Sequence, residues 1–278
     1  MSFKIVVDSC CDLTPAMLQD PTYVKVPLTI ELNGTYYIDD ETFDQAALLW
    51  AMKNSEKAPT TACPSPAQYM DAFGDDTKDI YVVTLSALLS GSHNAAVRAK
   101  DIWQEEYPQA NIHIFNSCSA TAGQVRIAME IHRLASQGLP FQQVVRETER
   151  FIADMNTLFV LESLDNLRKN GRLTRMQALV TSTLKLKLLC GATPEGEICK
   201  RGQALTIKQA LAKMVEMIEK DPKRTDRTAV ITQCNCLERA FTVKDTLLKK
   251  GLFDEVIVAK TGGIATVYAN DGGVVVAY

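Results

Sequence analysis

No apolar run in this 278-residue chain reaches the roughly 18–20 residues needed to cross a membrane. Its opening, Met1-Ser2-Phe3-Lys4-Ile5-Val6-Val7-Asp8, holds too short an apolar stretch for a secretory signal, so a cytoplasmic protein without a membrane span is expected. Several chemical signatures are also missing: Gly-x-Gly-x-x-Gly, a phosphate loop ending in Gly-Lys-Ser/Thr, Gly-x-Ser-x-Gly and His-Glu-x-x-His. Their absence weakens the nucleotide and hydrolase readings and sets the expectation of a non-catalytic chain with no cofactor. Histidine is scarce, and of His93, His113 and His132 only His93 neighbours the candidate loops described below. An excess of positive charge is lacking too: the formal net charge is −3, which gives no general pull toward nucleic acid or an anionic membrane. Cysteine is not scarce, at eight, but neither the adjacent Cys10-Cys11 nor the Cys234-x-Cys236 pair has the gap of a zinc knuckle. Reduced thiols and no metal are expected.

What is present is an α/β rhythm. Lys4–Asp8, Asp79–Thr84 and Ile112–Asn116 read as buried strands, and 42–55, 65–73, 92–106 and 121–137 carry apolar residues at helical spacing. This is the pattern of a Rossmann-like parallel sheet with crossover helices. Val24–Leu32 and Thr35–Ile38, around Asn33-Gly34, read as an inserted hairpin. Near residue 156 the pattern changes. A helix over 141–155 is followed by a strand over 157–161 and a helix over 163–170 stopped by Gly171. Residues 186–192 and 197–200 flank the turn Pro194-Glu195-Gly196, and strands over 228–232 and 255–259 bracket a helix over 237–250. Two domains are expected, 1–156 with the parallel sheet and 157–278 with a mixed sheet.

In open α/β sheets ligands collect at the carboxyl ends of the strands, which here are Asp8-Ser9, Thr84-Leu85-Ser86 running on to Ser90-Gly91-Ser92, and Asn116-Ser117. The second opens a helix whose free N–H groups favour an anion, though Ser92 as a simple cap and Gly91 as a turn residue account for it equally. The run Pro59-Thr60-Thr61-Ala62-Cys63-Pro64-Ser65-Pro66 is an extended, rigid stretch because residues before proline avoid the helical region. Thr61 either presents its hydroxyl inward or faces solvent.

Five segments, in order, resemble the DegV family. Val7-Asp8-Ser9-Cys10-Cys11-Asp12-Leu13 resembles its amino-terminal signature, and Thr61-Ala62-Cys63-Pro64-Ser65 its Thr-Ser-Gln-Pro-Ser loop. Thr84–Gly91 resembles its Ser-rich loop ending in Leu-Ser-Gly, Asn116-Ser117 through Gly123 its Asp-Ser turn, and Leu164–Leu173 its Gly-Gly-Arg-Ile-type helix end. The resemblance implies two α/β domains with a ligand tunnel between them, and a carrier for a long-chain fatty acid, in some members a subunit of bacterial fatty acid kinase. By position it implies that Thr61, Ser90, the Gly91 backbone and Ser92 hold the carboxylate, with Asp8, Ser9, His93 and Asn270 as neighbours of the head group. A kinase partner would bring ATP. The chain departs from the family at Asn270, which stands where the family has histidine, beside Asp271.

Charge is split along the chain. Residues 1–155 carry 11 Lys+Arg against 20 Asp+Glu, whereas 156–278 carry 19 against 13. Arg168, Lys169, Arg172 and Arg175, followed by Lys200 and Arg201, therefore suggest a docking face for an acidic partner; a helix carboxyl terminus that favours cations explains the first four as well. Two other functions stay open from sequence: an enzyme acting on a small acid or phosphate through Asp8, His93 or Ser90, and a lipid-loaded sensor with another protein partner.

Overall fold

A computed structural model describes residues 3–74, 78–174, 176, 186–222 and 227–278. Arg175 lies outside them. Four short apolar strands, β1 (Phe3–Asp8), β2 (Tyr23–Val26), β6 (Asp79–Thr84) and β7 (Asn111–Asn116), form an all-parallel sheet in the order β2-β1-β6-β7. Ile5, Val6, Val7, Ile80, Val82 and Val83 are completely buried, as strands covered on both faces require.

The predicted hairpin is corrected in its first arm. Residues 24–32 do not make one strand: the chain breaks at Pro27, which has no N–H for a ladder, leaving β2 in the parallel sheet and β3 (Thr29–Leu32) elsewhere. β3 pairs with β4 (Thr35–Ile38) across Asn33-Gly34, both at positive φ, as the tight turn needs. On its other edge β3 pairs with β5 (Thr60–Ala62), so the extended Pro59–Pro66 stretch contributes a strand to a three-stranded antiparallel sheet.

Helices α1 (Pro15–Gln19), α2 (Gln45–Lys53), α3 (Pro66–Phe73), α4 (Ser92–Glu106), α5 (Ala122–Ser136) and α6 (Phe141–Asp154) complete the first part. Ser65 and Gln68 close a capping box at α3, whereas α2 begins three residues later than predicted because Asp44, not a threonine, accepts the Ala46 and Ala47 N–H groups. α5 buries residues on every side, since it packs against β1 and β6 on one side and on the second sheet on the other.

That second sheet is six-stranded and mixed, in the order β10-β9-β8-β13-β11-β12. Its strands are β8 (Thr157–Val160), β9 (Lys187–Ala192), β10 (Ile198–Ala204), β11 (Thr228–Gln233), β12 (Glu255–Lys260) and β13 (Val274–Ala277). Only β11 and β12 run parallel; β13 lies antiparallel between β8 and β11. Among the described residues four helices accompany it: α7 (Asp165–Lys169), α8 (Ile207–Glu219), α9 (Leu237–Lys249) and α10 (Gly263–Ala269). One apolar core joins the sheets through α5, with Val7, Val83, Phe115, Val125, Val230 and Val275 in a single cluster. The α/β class with a parallel sheet and a separate mixed sheet is therefore as the sequence predicted.

Candidate functional site

The loops that follow β1, β6 and β7 do not end against solvent. Together with the facing side of β8, β9 and β13 they line a narrow cavity of about 110 Å³. Cys10, Leu85, Leu89, Ala120 and Thr121 wall it from below, and Phe159, Leu161, Gly191 and Val275 from the second sheet. The three-stranded sheet adds Leu28 and Thr61, and α10 adds Ile264, Ala265 and Tyr268. Almost every atom facing the space is carbon, so an alkyl or aryl ligand fits it and a freely hydrated one does not.

A cation and three hydroxyls gather at one end. Thr61 Oγ1 lies 2.8 Å from Tyr268 Oη, and the Arg172 guanidinium sits 5.8 Å from the centre of the Tyr268 ring, a cation–π distance. Arg172 Nε donates to Leu89 O at 3.2 Å, which carries the guanidinium to the Ser90 loop. Burial pushes the Tyr268 phenol above its ordinary value, against the Thr61 hydrogen bond and the Arg172 charge, so it stays protonated and able to donate. Thr61, Ser90, Arg172 and Tyr268 all line the cavity. This end can bind an anionic head group in front of an apolar tail space.

The other residues singled out in the sequence are placed differently. Asp8 is wholly buried beneath the cavity: its Oδ2 accepts Leu85 N–H at 2.7 Å and Ser92 Oγ–H at 2.6 Å, and its Oδ1 accepts Gln124 Nε2–H at 2.9 Å. Burial raises its pKa, opposed by those hydrogen bonds. Ser92 is fixed a second time by Tyr69 Oη at 2.7 Å and does not reach the cavity; its hydroxyl anchors the loop to Asp8, and the N-cap position of α4 falls to Gly91 with no side-chain bond. Gly91 matters because a Cβ there would stand 3.1 Å from Cys63 Sγ, so it lets the loop lie close to β5. Ser9 Oγ accepts Leu28 N–H at 3.0 Å and ties β1 to the small sheet.

His93 faces away from the cavity into a second groove, with Nδ1 3.0 Å from Thr84 Oγ1 and its pKa lowered by burial. Asn270 ends α10 at positive φ, accepts from Asn166 Nδ2 at 3.0 Å and donates to Ser163 O at 3.3 Å, so it binds α10 to the α7 segment. Arg168 makes an exposed ion pair with Asp165, Lys169 is exposed on α7, and Arg201 lines the second groove.

Sequence reading missed the helix that carries Tyr268. α10 has seven residues, nearly all buried, and so shows no amphipathic period. Its position is set by three side chains from the first half of the chain. Asp12 Oδ1 accepts Gly262 N–H at 2.7 Å; Asp39 accepts Gly263 and Ile264 N–H at 2.6 and 2.9 Å; Gln45 Nε2 donates to Thr261 O at 3.0 Å and Thr266 Oγ1 at 2.9 Å. Burial raises the pKa of Asp12 and Asp39. Nothing local in a sequence separates such buried aspartates from surface ones.

Comparison with known proteins agrees with this architecture. Residues 2–278 match the family described as uncharacterised protein, DegV family. A DegV domain-containing protein of Streptococcus pyogenes is 32% identical over 286 residues, covering 100% of this chain and 99% of the relative. A DegV family protein from Ruminococcus gnavus, whose crystal structure contains vaccenic acid, superposes with a TM-score of 0.95 at 42% identity, covering 100% and 99% of the two chains. The Streptococcus pneumoniae Fatty Acid Kinase (Fak) B3 protein, loaded with linoleic acid, superposes with a TM-score of 0.91 at 30% identity, over 100% and 99%. The chain belongs to the DegV family.

Proposed function

We propose that this chain, as a carrier, binds one long-chain fatty acid in the cavity and presents its carboxylate to a kinase partner that supplies ATP. One observation carries the reading: a largely apolar space has a cation, Arg172, and the hydroxyls of Thr61, Ser90 and Tyr268 together at one end. Two structural neighbours that hold vaccenic and linoleic acid support it.

The physical division of labour is simple. A chain of ~15 methylenes offers on the order of 12 kcal/mol of gross transfer free energy, at ~0.8 kcal/mol each, before immobilisation is subtracted. Its carboxylate loses hydration on entry and must find donors. Thr61 and Tyr268 supply hydroxyls, Ser90 a third, and Arg172 the compensating charge. Ser92 and Asp8 hold the loop that carries Ser90, and the Gly91 backbone allows it to approach. On a division at residue 156/157, Thr61 and Ser90 come from the first domain and Arg172 and Tyr268 from the second, so the head group is held between the two.

In the presentation step, the partner transfers the γ-phosphoryl group of ATP to the carboxylate oxygen, giving acyl phosphate and ADP. This chain contributes position, not proton transfer. Both oxygens of Asp8 are engaged by donors, which removes it as a base for the enzyme reading. Arg168, Lys169 and Arg172 stand beside the head-group end and form the docking face on this reading, with Arg175 its fourth member by sequence; Arg201 is set apart in the second groove. The reading is tested by mixing the chain, a long-chain fatty acid, ATP and a fatty acid kinase subunit. Acyl phosphate should form only when all four are present; formation without this chain would remove the carrier role.

A further inference from the structure

The far end of the cavity is built unlike its middle. Leu161 clusters with Leu167 and Tyr268 at the head-group end, and Thr157 lies at the opposite end of β8, about 13 Å away at ~3.3 Å per residue. β9 runs antiparallel to β8 with Leu158 opposite Gly191, which brings Ala192 level with Thr157. Here the wall turns polar: Thr157 Oγ1 and Ser119 Oγ are 2.7 Å apart, and Cys118 stands beside them.

Cys118, Thr157 and Ala192 also line the second groove, of about 680 Å³, so the wall between the two spaces is one residue thick. The groove is of mixed character, with His93, His113, Glu149, Asp154, Thr193 and Arg201 among its polar residues. Arg201 stands at the wall itself. Its Nη2 donates to Ala192 O at 2.7 Å, and its stem lies over Gly191, where a Cβ would meet Arg201 Cγ at 3.1 Å. A guanidinium has five N–H donors, and this bond uses one. The turn behind the wall, 193–197, is fastened across the cavity by Ser86 Oγ–H to Gly196 O at 2.8 Å.

Resting on the carrier reading above, we infer that the cavity takes acyl chains oxygenated at their far end, ω-hydroxy and α,ω-dicarboxylic acids. The terminal group meets the Ser119–Thr157 hydroxyls and passes beside Cys118 into the groove, where Arg201 receives a second carboxylate. A closed apolar end would instead strip such a group of water and return no partner. At this end it finds hydroxyl groups, and only a wall one residue thick separates it from the groove.

Displacement of a fluorescent fatty acid from the purified chain tests this with hexadecanoic, ω-hydroxyhexadecanoic and hexadecanedioic acids. The ω-hydroxy acid is expected to bind within about threefold of hexadecanoic acid, whereas an apolar dead end would weaken it about tenfold or more. Arg201→Gln is expected to weaken the diacid about tenfold relative to hexadecanoic acid, the loss of one charge-assisted contact. Tight hexadecanoic acid with both oxygenated acids excluded overturns this inference alone. An unchanged diacid ratio in Arg201→Gln also overturns it, and failure of all three acids to bind overturns the carrier reading together with it.

Discussion

Thr61 Oγ1 and Tyr268 Oη meet at 2.8 Å although 207 positions separate them, one on β5 of the small sheet and the other on α10 of the second half of the chain. The pair closes the head-group end of the cavity from two sides. Removing either hydroxyl, by Thr61→Val or Tyr268→Phe, is expected to weaken fatty-acid binding about five- to tenfold, the size of one hydrogen bond at ~1–1.4 kcal/mol. Fluorescence displacement measures it, with Thr35→Val on the exposed edge strand β4 as the control. Affinities equal to the control would remove these hydroxyls from the head-group site.

Arg172 supplies charge to that same end, and charge distinguishes an acid from an alcohol. The chain should therefore prefer a fatty acid over the alcohol of equal length, and Arg172→Gln should reduce that preference about tenfold. Arg168→Gln should leave the preference alone, since Arg168 is paired with Asp165 on the exposed face of α7. If the Arg172 variant keeps the full preference, the guanidinium does not read the carboxylate.

The Asp12 carboxyl gives a pH dependence with a definite sign. Burial raises its pKa well above 3.8, so the folded chain holds this proton more tightly than the unfolded chain, and stability falls as pH rises from about 4 through the raised value. Asp12→Asn keeps an oxygen to accept Gly262 N–H and cannot ionise. Its melting temperature should match wild type near pH 4 and exceed it at pH 7 by about 2–4 °C per kcal/mol relieved. Asp39 repels the Asp12 carboxylate, so the difference reports Asp12 together with the relief of that repulsion. A variant that melts below wild type at pH 7 would contradict this.

Gly123, at the start of α5, sits where a Cβ would fall 2.0 Å from Ser119 Oγ and 3.0 Å from Thr157 Oγ1. Gly123→Ala must break the Ser119–Thr157 bond or shift the loop, and the overpacking should cost about 1–3 kcal/mol in denaturant unfolding. The usual gain of alanine over glycine in a helix, about 1 kcal/mol, would appear instead if the loop yields freely.

Much of this was legible in the sequence, for reasons visible in particular elements. β1, β6 and β7 are short, mainly apolar runs ending in polar loops and alternating with helical segments, which marks a doubly wound sheet and the end at which ligands collect. Thr61 and Ser90 followed from loop chemistry together with family resemblance. Tyr268 did not, because α10 is short and buried on all sides, and its position is fixed by Asp12, Asp39 and Gln45, residues more than 200 positions away. The split at Pro27 is readable in the sequence, because a proline inside a predicted strand marks where the ladder ends. Ser92 shows a limit of another kind. A serine opening a helix looks like a cap or an anion ligand, and only the buried Asp8 beneath it makes it an anchor.

Native mass spectrometry of the purified chain, followed by extraction and analysis of what it carries, tests the central claim most directly. One long-chain fatty acid per chain is the expected result, lost or much reduced when Thr61 and Ser90 are both replaced by alanine. A chain that arrives empty, and that takes up no fatty acid when one is offered, would contradict the account.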